Sequence, residues 1–422
     1  MNKRRVLSCL AAIFMAVACA QAPQQQREES PLLRTVPSDA LVVMDFDHCS
    51  DVFSYLVDST SAIARLNLGQ LKSAHCVLSY VYTGHMEPIL AIDAGKAPAD
   101  TSDSISALLG QVGELGLQAK FFPDGWAEGE HAAIIVTHAT ATLPAVMRHI
   151  EGMTSIYDAT SFRDAVLLSG TGKGTIYLRN SGLDKSVPRS FLKEFVGRGQ
   201  MIGFLKNAAD WTVMSVTPSK PLDIGTVLGP SMIHYTNLLS SIPMGESKLG
   251  TVLPADADFA VAQPVTAGFR SQFEAYMDAC VKLTKYNKRI SELKSGSGKS
   301  PVAWEKEQAI AEVAYVCWNG NKLVLARPSK AAENSSVAEN PYAGFMPALY
   351  GELFAVPDSH FAVADGWIIY GEESAVQSFI DCEERLPENE WQYKNCHFVV
   401  YRPDRRLSWD PKGIRYGVQT AE

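Results

Sequence analysis

The apolar and polar positions of this 422-residue chain form two matching series. The first opens with Val36-Pro37-Ser38-Asp39-Ala40 and runs into Leu41-Val42-Val43-Met44. The second opens with Leu253-Pro254-Ala255-Asp256-Ala257 and, after Asp258, runs into Phe259-Ala260-Val261. In each, an apolar residue, a proline, a small residue and an aspartate precede an apolar strand. After the second opening, Phe269, Phe273, Tyr276, Met277, Cys280 and Val281 recur at helical spacing. Val52, Phe53, Leu56, Ile63 and Leu66 take that part less regularly after the first. A hairpin comes next in both. Residues 77–84 turn into 88–92, and 313–320 turn into 323–326 through Asn319-Gly320, the strongest short hairpin signal. A third pair of segments, 164–170 and 365–371, shares an Asp-x-apolar-apolar-apolar-x-Gly pattern that reads as a strand. Ser374 then reads as the N-cap of a helix over 375–380.

The three matched pairs are offset by 217, 236 and 201 residues, so the loops between them have diverged. The pattern predicts an α+β fold of two similar halves, with mainly antiparallel sheets covered by helices. The first half is expected over residues 35–250 and the second over 251–422. The long apolar runs imply central strands buried on both faces. Residues 294–301 and 329–341 read as loops.

The N-terminus follows a different pattern. Lys3, Arg4 and Arg5 precede a mostly apolar stretch over residues 6–18. That stretch is shorter than the roughly 20 residues of a membrane-spanning helix. It has the length of a secretory signal core. Ala16, Val17 and Ala18 close it, and Cys19 follows directly. A small residue followed by Cys here resembles the bacterial lipobox, in which the thiol is alkylated with diacylglycerol and a peptidase then cuts before the Cys. The −3 position is Ala16, where that signal usually has Leu. An ordinary signal peptide cut after Ala18 or Ala20 is the alternative. The expectation is a lipoprotein signal peptide over 1–18, lipid attachment at Cys19, and a flexible tether over 19–34. The polar, Gln-rich tether sequence has too little apolar surface to order itself. Ala20 is not the Asp of the familiar inner-membrane retention signal. That favours the outer membrane, on its periplasmic face ahead of the cell surface, since Glu28 and Glu29 lie well beyond Cys19.

Composition narrows the partners. Three of the 38 basic residues lie within 1–18, leaving 35 basic against 46 acidic side chains, a formal charge of −11. Such a chain has no electrostatic reason to hold nucleic acid. The Gly-rich run 170–175 and Gly298-Lys299-Ser300 both lack the earlier glycine of a phosphate loop, with Leu167 and Leu293 in its place. Neither predicts a nucleotide site. The remaining cysteines are Cys49, Cys76, Cys280, Cys317, Cys382 and Cys396, with no Cys-x-x-Cys pair. Cys49–Cys76 and Cys382–Cys396 are the pairs nearest in sequence for a disulfide. The apolar runs around several of these residues equally suit free buried thiols.

Asp45, Asp47, His48 and Cys49 at the end of the first strand are the most suggestive metal-type cluster. Asp45 and Asp47 would share one strand face and His48 the other, so a polar strand end entering a turn is the simpler reading. The second series has Gln263-Pro264 there, so the acids are not duplicated. His149, between Arg148 and Glu151, fits a solvated helix face. Trp126, Trp211, Trp304 and Trp391 suit either a sugar platform or the core. No catalytic, cofactor or metal motif emerges.

Several segments together resemble an uncharacterised family of bacterial envelope lipoproteins, a domain of unknown function. They are the lipobox, the VPSDA and VLPADA strand starts, Arg148-His149-Ile150-Glu151 with the TSIYDATSFRDAVLLSG run after it, and DGWIIYGEESAVQSFI. The resemblance spans most of residues 35–400. It implies compartment and fold, and no chemistry. The expected function is a non-enzymatic envelope lipoprotein, held at the membrane by its N-terminal lipid and binding an envelope protein or maintaining the surface. The alternative is a hydrolase or glycan-binding lipoprotein acting on an envelope or dietary polysaccharide.

Overall fold

The computed structural model describes residues 30–52, 62–125, 131–138, 146, 154–167, 173–186, 206–216, 223–227, 232–330, 333–387, 391, 393–402 and 414–417. Residues 1–29, which hold the expected signal segment, Cys19 and most of the expected tether, lie outside the described residues, as do Trp126 and residues 148–151. The chain divides into two compact units, one built on residues 22–188 and 210–227, the other on 189–209 and 228–422. Among the described residues, no helix is long and apolar enough to cross a membrane.

The first unit runs β1 (Val42–Phe46), α1 (Cys49–Val52), β2 (Cys76–Tyr82), β3 (Met86–Lys96), α2 (Asp103–Glu114), β4 (Gln118–Phe122), β5 (His131–Thr137), α3 (Thr160–Leu167), β6 (Gly174–Arg179), α4 (Leu183–Ser186), β7 (Trp211–Val216) and β8 (Asp223–Thr226). Its eight strands form one antiparallel sheet ordered β4-β5-β3-β2-β1-β6-β7-β8. Every residue of β1 is buried, as the unbroken apolar run requires of a strand covered on both faces. On one face Val43, Val77, Ile89 and Ile135 pack with Leu33, Ile156 and Phe162 from outside the sheet. Helix α2 starts where the Ser102 hydroxyl accepts from Ile105 N at 3.3 Å, and it buries Ile105, Leu108 and Val112.

The second unit runs α5 (Tyr235–Ser240), β9 (Gly245–Ser247), β10 (Phe259–Pro264), α6 (Phe269–Ala279), α7 (Leu283–Ser297), α8 (Pro301–Gln308), β11 (Ile310–Trp318), β12 (Asn321–Pro328), β13 (Ser335–Glu339), α9 (Phe345–Tyr350), β14 (His360–Ala364), β15 (Trp367–Gly371), α10 (Glu373–Ile380), β16 (Tyr393–Cys396), β17 (Val399–Arg402) and β18 (Ile414–Gly417). Its main sheet is ordered β13-β14-β15-β12-β11-β10-β17-β18, and β9 pairs with β16 separately. Helices α6–α9 contribute an aromatic layer in which Phe269 meets Phe273 and Tyr350, and Trp304 meets Phe345. On the other side of the sheet, Ala260, Ala314, Leu325 and Ile369 pack with Phe379 and Trp391.

The duplication extends to seven strands. The order β4-β5-β3-β2-β1-β6-β7 matches β14-β15-β12-β11-β10-β17-β18, with β8 and β13 added at opposite edges. The two strand starts make the same turn: Ala40 N donates to Pro37 O at 3.1 Å, and Ala257 N to Pro254 O at 3.0 Å. Leu41 N then donates to Tyr80 O, and Asp258 N to Cys317 O. Register places Val43 opposite Ser79 and Tyr177, and its counterpart Ala260 opposite Val316 and Tyr401.

This register corrects several sequence expectations. The second matched strands are offset by 237, not 236, because Val43 stands opposite Ser79 while its counterpart Ala260 stands opposite Val316. A slip of one would send every side chain to the opposite face. The counterpart of 365–371 is the β5 strand, since Thr137 and Gly371 hold the same place beside Gln118 and His360. Residues 164–167 are instead the end of α3. Residues 210–227 group with the first unit, and 189–209 with 228–422 in the second. Residues 235–250 belong with the second unit, where Tyr235 OH donates to Gln263 Oε1 at 2.6 Å and Leu249 joins the core. Helix α10 begins at Glu373 with Glu372 as N-cap, so Ser374 lies inside its first turn. Helix α7 continues to Ser297 and β13 occupies 335–339, which shortens both expected loops.

Candidate functional site

The β1 strand end holds the densest group of reactive side chains flagged by sequence. Asp45 is buried, although its face is a core face, and the same place in the second unit is Ala262. His75, just before β2, brings Nε2 to 2.7 Å from Asp45 Oδ1. Opposite Asp45 in the ladder stands Thr175, fully buried, its hydroxyl without a hydrogen-bond partner among the described residues. Asp47 N donates to Lys173 O, which ties the strand end to the residue before β6. His48 does not join Asp45: its Nδ1 lies 2.9 Å from Ser73 O. Cys49 opens α1, and its N–H donates to Ala74 O at 2.9 Å. That places it against Cys76, the next strand residue but one. A side-chain hydrogen bond from Cys49, reinforced by burial, pushes the Cys76 thiol well above its ordinary range. The four residues read together from sequence are thus divided. Asp45 pairs with His75 on one face, and Cys49 pairs with Cys76 on the other.

This arrangement is poor in catalytic capacity. Thr175, the hydroxyl nearest the Asp45–His75 pair in register, is sealed from solvent. The Cys76 thiol stays protonated, so it is no nucleophile. Among the described residues, no group of three or more His, Cys, Asp or Glu side chains is arranged to hold a metal ion.

Sequence reasoning missed two buried carboxylates. Glu312 lies in β11 with no exposure at all. Its Oε1 accepts from Ser247 Oγ at 2.5 Å, and its Oε2 from Lys248 N at 2.8 Å and Arg327 Nε at 3.2 Å. Trp391 Nε1 donates to Ser247 Oγ, extending the network. Burial raises the Glu312 carboxyl above its ordinary range, against the pull of Ser247, Lys248 N and Arg327. Glu87 in β3 is only 2 % exposed. His85 Nε2 contacts its Oε1, and His138 Nδ1 stands 3.7 Å from its Oε2. The signal for both was a lone acid in an apolar strand run.

The other candidates are structural. Gly298 ends α7 in the left-handed region, and Ser300 and Pro301 start α8, so Gly298-Lys299-Ser300 is a helix-to-helix turn. In the run 170–175, Gly174 begins β6 with Phe46 packed against its Cα. Trp211, Trp304 and Trp391 are buried, so none of the three offers a sugar platform. Comparison with protein-family models, with curated proteins and with solved structures finds no match. The resemblance to envelope lipoproteins therefore rests on the quoted segments alone.

Proposed function

We propose that the chain is a lipid-anchored protein of the bacterial outer membrane, facing the periplasm, and that it serves as a non-enzymatic binding or envelope-maintenance factor. The observation that carries this reading is the N-terminal sequence: three basic residues, an apolar core too short to span a membrane, and small residues set directly before Cys19. Acyl chains on Cys19 give durable attachment without a transmembrane helix, since two or more chains act together. The buried chemistry supports the non-enzymatic part. Asp45 and His75 occupy each other, Glu312 is held by three donors, and the Cys49 and Cys76 thiols face one another inside the first unit. These groups hold strands and helices together and are not presented to a substrate.

Cell fractionation tests the anchor. The wild-type chain should sediment with outer membranes, and Cys19→Ala should release it to the soluble periplasmic fraction. Membrane retention of Cys19→Ala would overturn the reading.

A further inference from the structure

We propose that Cys49 and Cys76 are joined by a disulfide in the mature protein, making them a covalent clasp between α1 and β2. This rests on the envelope reading for its oxidising compartment and on the fold for its geometry. Phe46 and Cys76 are paired directly across β1 and β2, a relationship that sets their Cα atoms about 5 Å apart. Cys49 lies three residues beyond Phe46, where the chain turns into α1. Its N–H bonds to Ala74 O, and this bends Cys49 back over the start of β2. Both thiols are fully buried and hydrogen-bonded to each other.

No other pair in the described residues has this placement. Cys396 donates to Gly245 O at 3.4 Å and Cys382 to Glu384 O at 3.4 Å, so the other sequence-adjacent pair points to separate carbonyls. Cys317 contacts Tyr315 OH and Cys280 contacts Ile233 O. The inference is thus selective: one disulfide and four thiols.

The chemistry balances with an external disulfide. A disulfide-bonded donor of the thiol-oxidase class is attacked by one cysteine as its thiolate, giving a mixed disulfide and releasing one donor thiol. The second cysteine displaces the donor's other sulfur. Two electrons and two protons pass to the donor, which leaves as a dithiol, and one S–S bond forms between Cys49 and Cys76. The folded thiols are sealed, and Cys76 is held protonated, so oxidation must precede closure of α1 over β2. Once formed, the bond is shielded from reductants by the same burial.

Two measurements decide the matter. In the first, the full-length chain is extracted from envelopes under denaturing conditions with N-ethylmaleimide and digested without reduction. Peptide mass spectrometry should find Cys49 cross-linked to Cys76, with Cys280, Cys317, Cys382 and Cys396 alkylated. Alkylated Cys49 and Cys76 in a chain lipidated at Cys19 would overturn the proposal and leave the envelope reading standing. In the second, the purified chain is reduced, unfolded and refolded with oxidised glutathione. The same cross-link should dominate, and the oxidised protein should show a higher urea midpoint than the Cys49→Ala/Cys76→Ala double variant. A different pairing, or none, would overturn the proposal whatever the compartment. If the cellular protein is found unlipidated in the cytoplasm, the envelope reading fails, and the refolding result alone decides whether the clasp forms.

Discussion

At the residue scale, the informative positions are those where a polar group stands on an apolar face. Asp45 and Glu312 are each buried in a strand whose neighbours are hydrophobic, and each is met by partners distant in sequence. The sequence showed the anomaly and could not show the partner, because His75, Ser247 and Arg327 arrive through strand register. Replacing Glu312 by Ala should leave Ser247 Oγ, Lys248 N and the partly exposed Arg327 without their acceptor and lower stability by about 3 kcal/mol. Urea denaturation checks this. The pH dependence has a definite sign. Burial raises the folded-state carboxyl above its ordinary 4.5, so its contribution is fully present below about pH 4.5 and is lost as pH rises through the folded value. Wild type should therefore lose stability over that window relative to Glu312→Gln. Parallel pH curves would show that Glu312 does not titrate there.

Among the elements, the sequence read strands better than helix ends. The β2–β3 and β11–β12 hairpins were legible because pairs of apolar runs separated by a short turn, Asn319-Gly320 in the second, specify them locally; both of these turn residues take positive φ, 50° and 76°. Helix ends were less legible. Val281 was counted on the apolar face of α6, yet it lies beyond Ala279 with φ 57° and is 93 % exposed. Lys282 N closes onto Met277 O at 2.7 Å, a C-terminal motif that favours glycine at the left-handed position. A β-branched residue is strained there. Val281→Gly should raise stability by about 1 kcal/mol, read as a higher thermal midpoint; an unchanged or lower midpoint would contradict that strain. The misplaced third repeat has a similar origin. Residues 164–167 and 365–371 share a composition pattern, but α3 buries only Phe162 and Ala165, a helical spacing, whereas β15 is buried throughout. A short apolar run does not distinguish the two.

For the whole molecule, the duplicated α+β architecture was legible from the two Pro-small-Asp strand starts, and the structure extends it to seven strands per unit. The duplication carries the scaffold and not the chemistry: the position of Asp45 is Ala262 in the second unit, and that of Asp47 is Pro264. Candidate sites were thus harder to read than the fold, because nothing in one half reports on the other. The functional account depends on Cys19, in the N-terminal sequence. The most direct test is the mass of the N-terminal peptide from protein purified out of bacterial envelopes. The account predicts a chain beginning at Cys19 with a diacylglyceryl thioether on its sulfur. A chain beginning at Met1, or at Gln21 after an ordinary signal cleavage, would contradict it.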